Sequence, residues 1–348
     1  MKIVKNAIYI FFFLFILYGC EKMFLEPDPS NTPENNFEIF WKDFDRYYAQ
    51  FSVRHIDWDS VYAKYRPQIS SSTTEQQLFS VLSNIVRCIN DMHIDIHTPL
   101  GDVYWQSKAP SSYPSGRLIN ACKYIQCGPS QNPLIEYRPC QNSSIGYMII
   151  PTFSGGTDGL SLTDERYLVI DEILSQWKDK KGIIIDLRWN HGGNTNNAET
   201  VAGRFTDRLR VYAQYREKTG PGKQDFSPWK NSTIGPKGAY QFLKPVVILT
   251  SRTTASSAEM FVMAMHSLPH VTIVGDTTGG GVGAPIYREL PNGWTYRLST
   301  RYYADAQRRI MEGVGISPDI HVLTTVADSS KGIDRILEKG IEIITNSK

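Results

Sequence analysis

The chain is poor in several features that would assign a function at once. Its formal net charge is only +2, which gives no argument for nucleic acid or for acidic partners. It has 5 cysteines and lacks the paired Cys-x-x-Cys spacing of a zinc ribbon. No His-Glu-x-x-His pair is present, which excludes the helical zinc site of that type. The Gly-x-Ser-x-Gly elbow of α/β-hydrolases is missing too. Gly275 to Gly283 is glycine-rich but lacks the Gly-Lys-Ser/Thr ending of a phosphate loop. Beyond the N-terminus no stretch is long and apolar enough for a transmembrane helix.

The N-terminus itself reads as an export signal. Lys2 and Lys5 precede an apolar run, Ala7 to Tyr18, too short for a stable bilayer anchor. It ends in Leu17-Tyr18-Gly19-Cys20, which resembles a bacterial lipobox in which Cys20 is lipidated. The alternative is an uncleaved short anchor. Either way the rest of the chain is expected outside the cytoplasm. It would be lipid-anchored to the outer or inner membrane, facing the periplasm or the cell surface. Disulfides persist there, so one bridge among Cys122, Cys127 and Cys140 is expected, its pairing left open by the spacing.

Five segments follow from the patterning. Residues 1–20 form the signal, and 21–36, rich in Pro and Asn, a flexible tether. Residues 37–98 read as a small helical domain. Phe40, Trp41, Phe44 and Tyr47-Tyr48 recur at helical spacing, as do Leu78, Val81, Leu82 and Ile85 after a cap at Thr73 or Thr74. Residues 99–144 read as irregular β structure. In 145–348, largely apolar strands (Gly146–Ile150; Gly182–Leu187, interrupted only by Asp186 near its end; Pro245–Thr250; Val271–Val274) alternate with helices (Leu168–Trp177, Ala198–Phe205, Ala258–Ser267) and a closing helix, Ile333–Ile344. That alternation predicts an α/β layered domain with buried strands and functional loops at the strand ends.

Two such loops carry chemistry. Thr250 to Phe261 places small hydroxyl residues between a strand and a helix start. Ser256 there is either a nucleophile beside backbone N–H donors or a helix N-cap with Glu259 three residues on. Asp186 to Asn194 places Gly192-Gly193 after a buried strand, as an N–H donor loop or a plain turn.

Together, in order and spacing, these segments resemble the S41 peptidases. The same resemblance takes in Ile56-Asp57-Trp58, Asn90-Asp91-Met92-His93 and Gly315-Ile316-Ser317-Pro318-Asp319-Ile320. It implies a crotonase-like (ClpP/crotonase) α/β domain beside a helical N-terminal domain. It also implies a serine endopeptidase acting on peptide or protein substrates with no metal or organic cofactor. Ser256 would be the nucleophile, and the N–H groups of Gly193 and Ser257 the oxyanion donors. The branch that uses a lysine base has none here, since Gly279-Gly280-Gly281 fills that place. The tricorn-core branch uses a histidine and a late glutamate, which correspond to His93 and Glu312. His97 competes for the base role. His191 is a candidate substrate contact, and His55, His266, His270 and His321 read as structural or solvated. Met92 replaces the serine that precedes the histidine in tricorn, which leaves a fourth hydroxyl without a candidate. Residues 99–144 are too short for a full PDZ domain, so substrate capture falls to the aromatic helical segment or to Gly220-Pro221-Gly222-Lys223. The rival reading is a lipid- or peptide-binding protein on the same scaffold.

Overall fold

The computed structural model describes residues 28–104, 123–126, 134–141, 144–155 and 163–347. The signal, Cys20, residues 21–27 of the tether, and Cys122 and Cys127 of the expected disulfide lie outside these residues, and the end of the expected tether is already helical from Pro33. Cys140 is buried. Among the described residues no helix is long and apolar enough to cross a membrane.

Three helices open the described chain: α1 (Pro33–Tyr47), α2 (Trp58–Tyr65) and α3 (Glu75–Ile89). Phe37, Phe40 and Phe44 lie along one face of α1 and are fully buried. Burial of each is worth about 2–3 kcal/mol. Thr74 caps α3 reciprocally: its Oγ1 accepts from the Gln77 N–H, and its own N–H donates to Gln77 Oε1.

The helices are followed by β1 (Asp95–Thr98) and β2 (Gly101–Tyr104). These join β10 (Pro285–Glu289) and β11 (Thr295–Ser299) in a four-stranded sheet of order β10-β11-β1-β2. The core beneath the helices therefore draws on both ends of the chain. Leu78, Leu82 and Ile85 pack in one cluster with Ile94, Ile96, Trp294, Tyr296 and Leu298. A boundary at residue 98 thus falls within a paired hairpin, and the helical unit also includes a late segment. The Asp43 carboxylate fastens the two, accepting from Arg288 and from the Tyr296 hydroxyl.

The second unit centres on a six-stranded sheet of order β13-β9-β8-β5-β4-β3. Its strands are β3 (Glu136–Pro139), β4 (Ile145–Ile149), β5 (Gly182–Asp186), β8 (Val246–Thr250), β9 (Val271–Gly275) and β13 (Ile320–His321). All pairings are parallel except that of β3 with β4. Period-two alternation sends Ile183 and Ile185 of β5 into one core with Ile170, Val201 and Phe261. These come from α4 (Val169–Gln176), α5 (Thr195–Ala202) and α6 (Ser257–His266). Ile184 faces the opposite side, packed with Ile336, Leu337 and Ile344 of α8 (Arg335–Asn346). Both faces are covered, which is why the strands read as largely apolar runs. A third sheet, β12-β6-β7, is built from β6 (Arg210–Glu217), β7 (Lys230–Ile234) and β12 (Arg301–Asp305). A short helix, α7 (Val326–Ser330), leads into α8. The layered α/β architecture expected from the sequence is present. The helix expected at Ala198–Phe205 begins instead at Thr195, capped by the Asn194 side chain.

Candidate active site

Ser256 sits where β8 turns into α6, at the carboxyl edge of the sheet. Its backbone is strained, with φ 57° and ψ −127°, a region costly for a residue with a β-carbon. Two bonds hold it there: the Ser256 N–H donates to Gly281 O at 2.8 Å and to Glu259 Oε2 at 3.2 Å. Glu259 is fully buried and also accepts from the N–H groups of Gly280 and Gly281 and from the Thr278 hydroxyl. Burial raises its carboxyl pKa, and those donors oppose the rise. One carboxylate thus ties the serine to the glycine turn after β9. Ser256 is the N-cap of α6, as one reading of the segment holds, and its side chain also meets a histidine.

That histidine is His93. Asn90 ends α3 in the left-handed conformation and turns the chain so that His93 faces the other unit. Asp91 Oδ1 accepts the His93 N–H at 2.8 Å, and His93 Nε2 lies 3.0 Å from Ser256 Oγ. Burial lowers the imidazole pKa to about 4; Asp91 opposes the drop, and Arg297 and Arg54 add to it. At neutral pH the ring is therefore uncharged and able to take a proton from the serine. His93 Nδ1 has no hydrogen-bond partner among the described residues, and Asp91 Oδ1 is 3.9 Å from it.

Glu312 is placed differently from the orienting role expected of it. It is buried, but its carboxylate accepts from the Val282 N–H at 3.0 Å and pairs with Arg54 rather than contacting His93. Arg54 also donates to Asn90 O and stands 3.7 Å from Asp91 Oδ2. Tyr48 completes the group, donating its hydroxyl to Asp91 at 2.8 Å. Burial and the Asp91 charge raise the Glu312 carboxyl pKa, and Arg54 opposes them. Glu312 thus reaches the histidine segment through Arg54 and Asp91. Sequence reasoning assigned roles to neither residue. Asp91 stood inside a quoted motif, but Arg54 carried no signal.

The oxyanion candidates come from two abutting turns. Gly192 and Gly193 have φ of 101° and 140°. A β-carbon on Gly192 would fall 2.6 Å from Ser256 Cβ and 2.9 Å from the Ser257 nitrogen. Only glycine lets the two turns approach this closely. Asn190 locks them, accepting from the Gly192 N–H and, through its carbonyl, from the Ala255 N–H. The N–H groups of Gly193 and Ser257 meet no acceptor among the described residues. Ser257 is the first residue of α6, so its N–H also lies at the positive end of the helix.

No other histidine hydrogen-bonds Ser256 among the described residues. His97 sits on β1 between Asp95 (3.3 Å) and Asp102 (3.2 Å). His266 pairs with Asp319 and His321 with Asp276. His191 and His55 are exposed. Among the described residues, no group of three or more His, Cys, Asp or Glu side chains could hold a metal ion.

Residues 144–322 match the model of peptidase family S41. The chain belongs to that family. Residues 29–87 match the tricorn protease C1 domain, in agreement with the resemblance of the helical segment and its aromatic residues. The carboxy-terminal processing protease CtpA of Bacillus subtilis is 30% identical over 184 residues, covering 53% of this chain and 36% of the relative. A putative tricorn protease homolog of Streptomyces coelicolor is 25% identical over 230 residues, covering 62% of this chain and 18% of that one. The S41 chain thus spans little more than a third of the length of CtpA. A solved putative peptidase from Parabacteroides merdae superposes with a TM-score of 0.79 at 29% identity, covering 90% of this chain and 97% of that one. The photosystem II D1 C-terminal processing protease shares the fold, with a TM-score of 0.56 at 14% identity over 84% of this chain and 94% of its own.

Proposed function

We propose that the chain is a serine endopeptidase that cleaves exported proteins or peptides through an acyl-enzyme. The observation that carries this is the 3.0 Å approach of His93 Nε2 to Ser256 Oγ, with the imidazole neutral at physiological pH. Ser256 Oγ attacks the peptide carbonyl as its proton passes to His93 Nε2, and the carbonyl oxygen takes up the negative charge. The N–H groups of Gly193 and Ser257 stabilise that oxyanion. The new imidazolium gives its proton to the leaving amine as the C–N bond breaks, which leaves an ester on Ser256. Water then repeats the sequence, with His93 again as base. Asp91 holds the histidine segment and faces the developing positive charge. Arg54 and Glu312 brace Asp91 from behind.

A fluorophosphonate tests the reading directly. It should label the protein at Ser256, and Ser256→Ala should lose both labelling and peptide hydrolysis with an unchanged circular-dichroism spectrum. Failure of the wild type to label or to cleave any member of a broad peptide library would refute it. The ligand-binding rival is not favoured, since the matched relatives are named as proteases.

Anchoring belongs to the same proposal. Cys20 in Leu17-Tyr18-Gly19-Cys20 would carry the lipid and hold the enzyme at the cell envelope, facing the periplasm or the surface. Cys20→Ala should release the protein from the membrane fraction or block its maturation. Unaltered association and processing would count against it.

A further inference from the structure

A cavity of about 700 Å³ opens between the helical unit and the turn that follows β6. It is formed by the two segments that the sequence offered for substrate capture. Trp41, Phe51 and Trp58 line one side, and Pro221, Gly222 and Phe226 the other. The aromatic side is rigid. Trp41 and Trp58 lie nearly parallel, at 5°, and each indole N–H points to the other's backbone carbonyl. Phe51 stacks on Trp58 with centroids 4.9 Å apart.

The charges around the cavity are unevenly matched. Lys218 is folded onto its own turn, its ammonium donating to Gly222 O at 2.5 Å. Asp57 is taken by the Ser60 hydroxyl. Asp45 and Asp59 also line the cavity. Neither carboxylate has a hydrogen bond or ion pair among the described residues. Partial burial raises the Asp45 carboxyl pKa; Lys218 opposes the rise and the Asp59 charge adds to it. Lys223 also lines the cavity and acts on Asp57, so the three carboxylates Asp45, Asp57 and Asp59 stand against the two lysines; the acidic surplus beside aromatic faces suits a cation, which gains from the carboxylates and from the ring quadrupoles together.

The cavity also touches the catalytic cluster. Tyr48 lines it, and the Tyr48 hydroxyl donates to Asp91, which holds the His93 N–H.

We propose that this cavity is an exosite for a segment of the polypeptide substrate that carries aromatic and basic side chains, the aromatic ring packing on the partly exposed Trp41, Phe51 and Phe226 and the cation meeting Asp45 and Asp59. The proposal rests on the peptidase reading for the word substrate alone. Contacts away from the scissile bond supply binding energy that short peptides lack, so occupancy here selects among long substrates.

The test uses the full-length protein and one cleavable core peptide extended by three tails: Phe-Lys-Phe-Arg, Phe-Glu-Phe-Glu or Gly-Ser-Gly-Ser. Binding is read by fluorescence anisotropy on the Ser256→Ala protein, and kcat/KM on the wild type. The basic aromatic tail should bind at least tenfold more tightly than the Gly-Ser tail. Asp45→Asn with Asp59→Asn should remove that advantage and leave kcat/KM for the Gly-Ser peptide unchanged. Equal binding of all tails, preference for the acidic tail, or an advantage that survives the double substitution would overturn the proposal. Tail-dependent binding without cleavage of any peptide would support the site and refute the peptidase reading. Cleavage of all three at one rate with equal binding would do the reverse.

Discussion

Arg54 and Glu312 stand 258 positions apart in sequence and meet as a largely buried ion pair behind His93. Arg54 also faces Asp91, so one guanidinium offsets two buried carboxylates. Taking charges out of water is costly, and such a cluster is tolerated only while each member keeps its partner.

Removing the shared cation should therefore do more harm than removing one acid. Arg54→Met leaves the Asp91 and Glu312 carboxyls buried with no cation beside them and should cost about 3–5 kcal/mol of stability. Glu312→Gln should cost less, since Asp91 remains to pair with Arg54. Arg54→Met combined with Glu312→Gln should recover part of the loss. Urea denaturation of the three variants checks the order.

The base assignment has its own contrast. His93→Ala should lower kcat by about a thousandfold or more, by the precedent of other triads. His97→Ala should change it little, because His97 is held on β1 by Asp95 and Asp102. Steady-state kinetics on one peptide would decide, and a severe His97 effect would contradict the assignment.

The pH dependence follows from burial of His93. Its pKa falls from 6.5 to about 4, so the neutral base persists well below neutrality. The acid limb of kcat/KM should lie near pH 4 rather than near 6.5. The sign for stability is fixed by proton counting. Between about pH 6.5 and 4 the unfolded chain binds the proton and the folded chain does not, so this group's contribution falls as pH falls through that window. His93→Gln should flatten the melting temperature across it.

Glu259 offers a test of the serine's strained backbone. It accepts from four donors, and Glu259→Gln would turn an amide N–H₂ toward some of them. A loss of about 2–4 kcal/mol is expected from broken charge-assisted bonds and facing donors. Fluorophosphonate labelling should fall with it, measured at a temperature where the variant is folded.

The layered unit was legible in the sequence because its strands are buried on both faces and so are mostly apolar. Gly182–Asp186 and Val246–Thr250 are such runs. The meeting of His93 with Ser256 was inferred from family resemblance and not from any local pattern. The sheet that joins β1 and β2 to β10 and β11 was missed, although Ile94, Ile96, Trp294, Tyr296 and Leu298 alternate as a one-sided strand requires. Short strands carrying Asp, His and Arg on the outward face hide that period. Arg54 was invisible for another reason: its partners are Asn90, Asp91 and Glu312, and no spacing in the chain announces a contact across such separations.

The late hairpin that closes the N-terminal core has a consequence for the timing of synthesis. Among the described residues, Trp294, Tyr296 and Leu298 are the last of the N-terminal core to be translated, yet they complete the packing around the helices that precede His93. Until they arrive, the early helices lack part of their apolar cover. Ser256 is translated before them and waits for its partner. The 3.0 Å approach of His93 to Ser256 thus depends on a core completed by a segment that follows both residues in sequence.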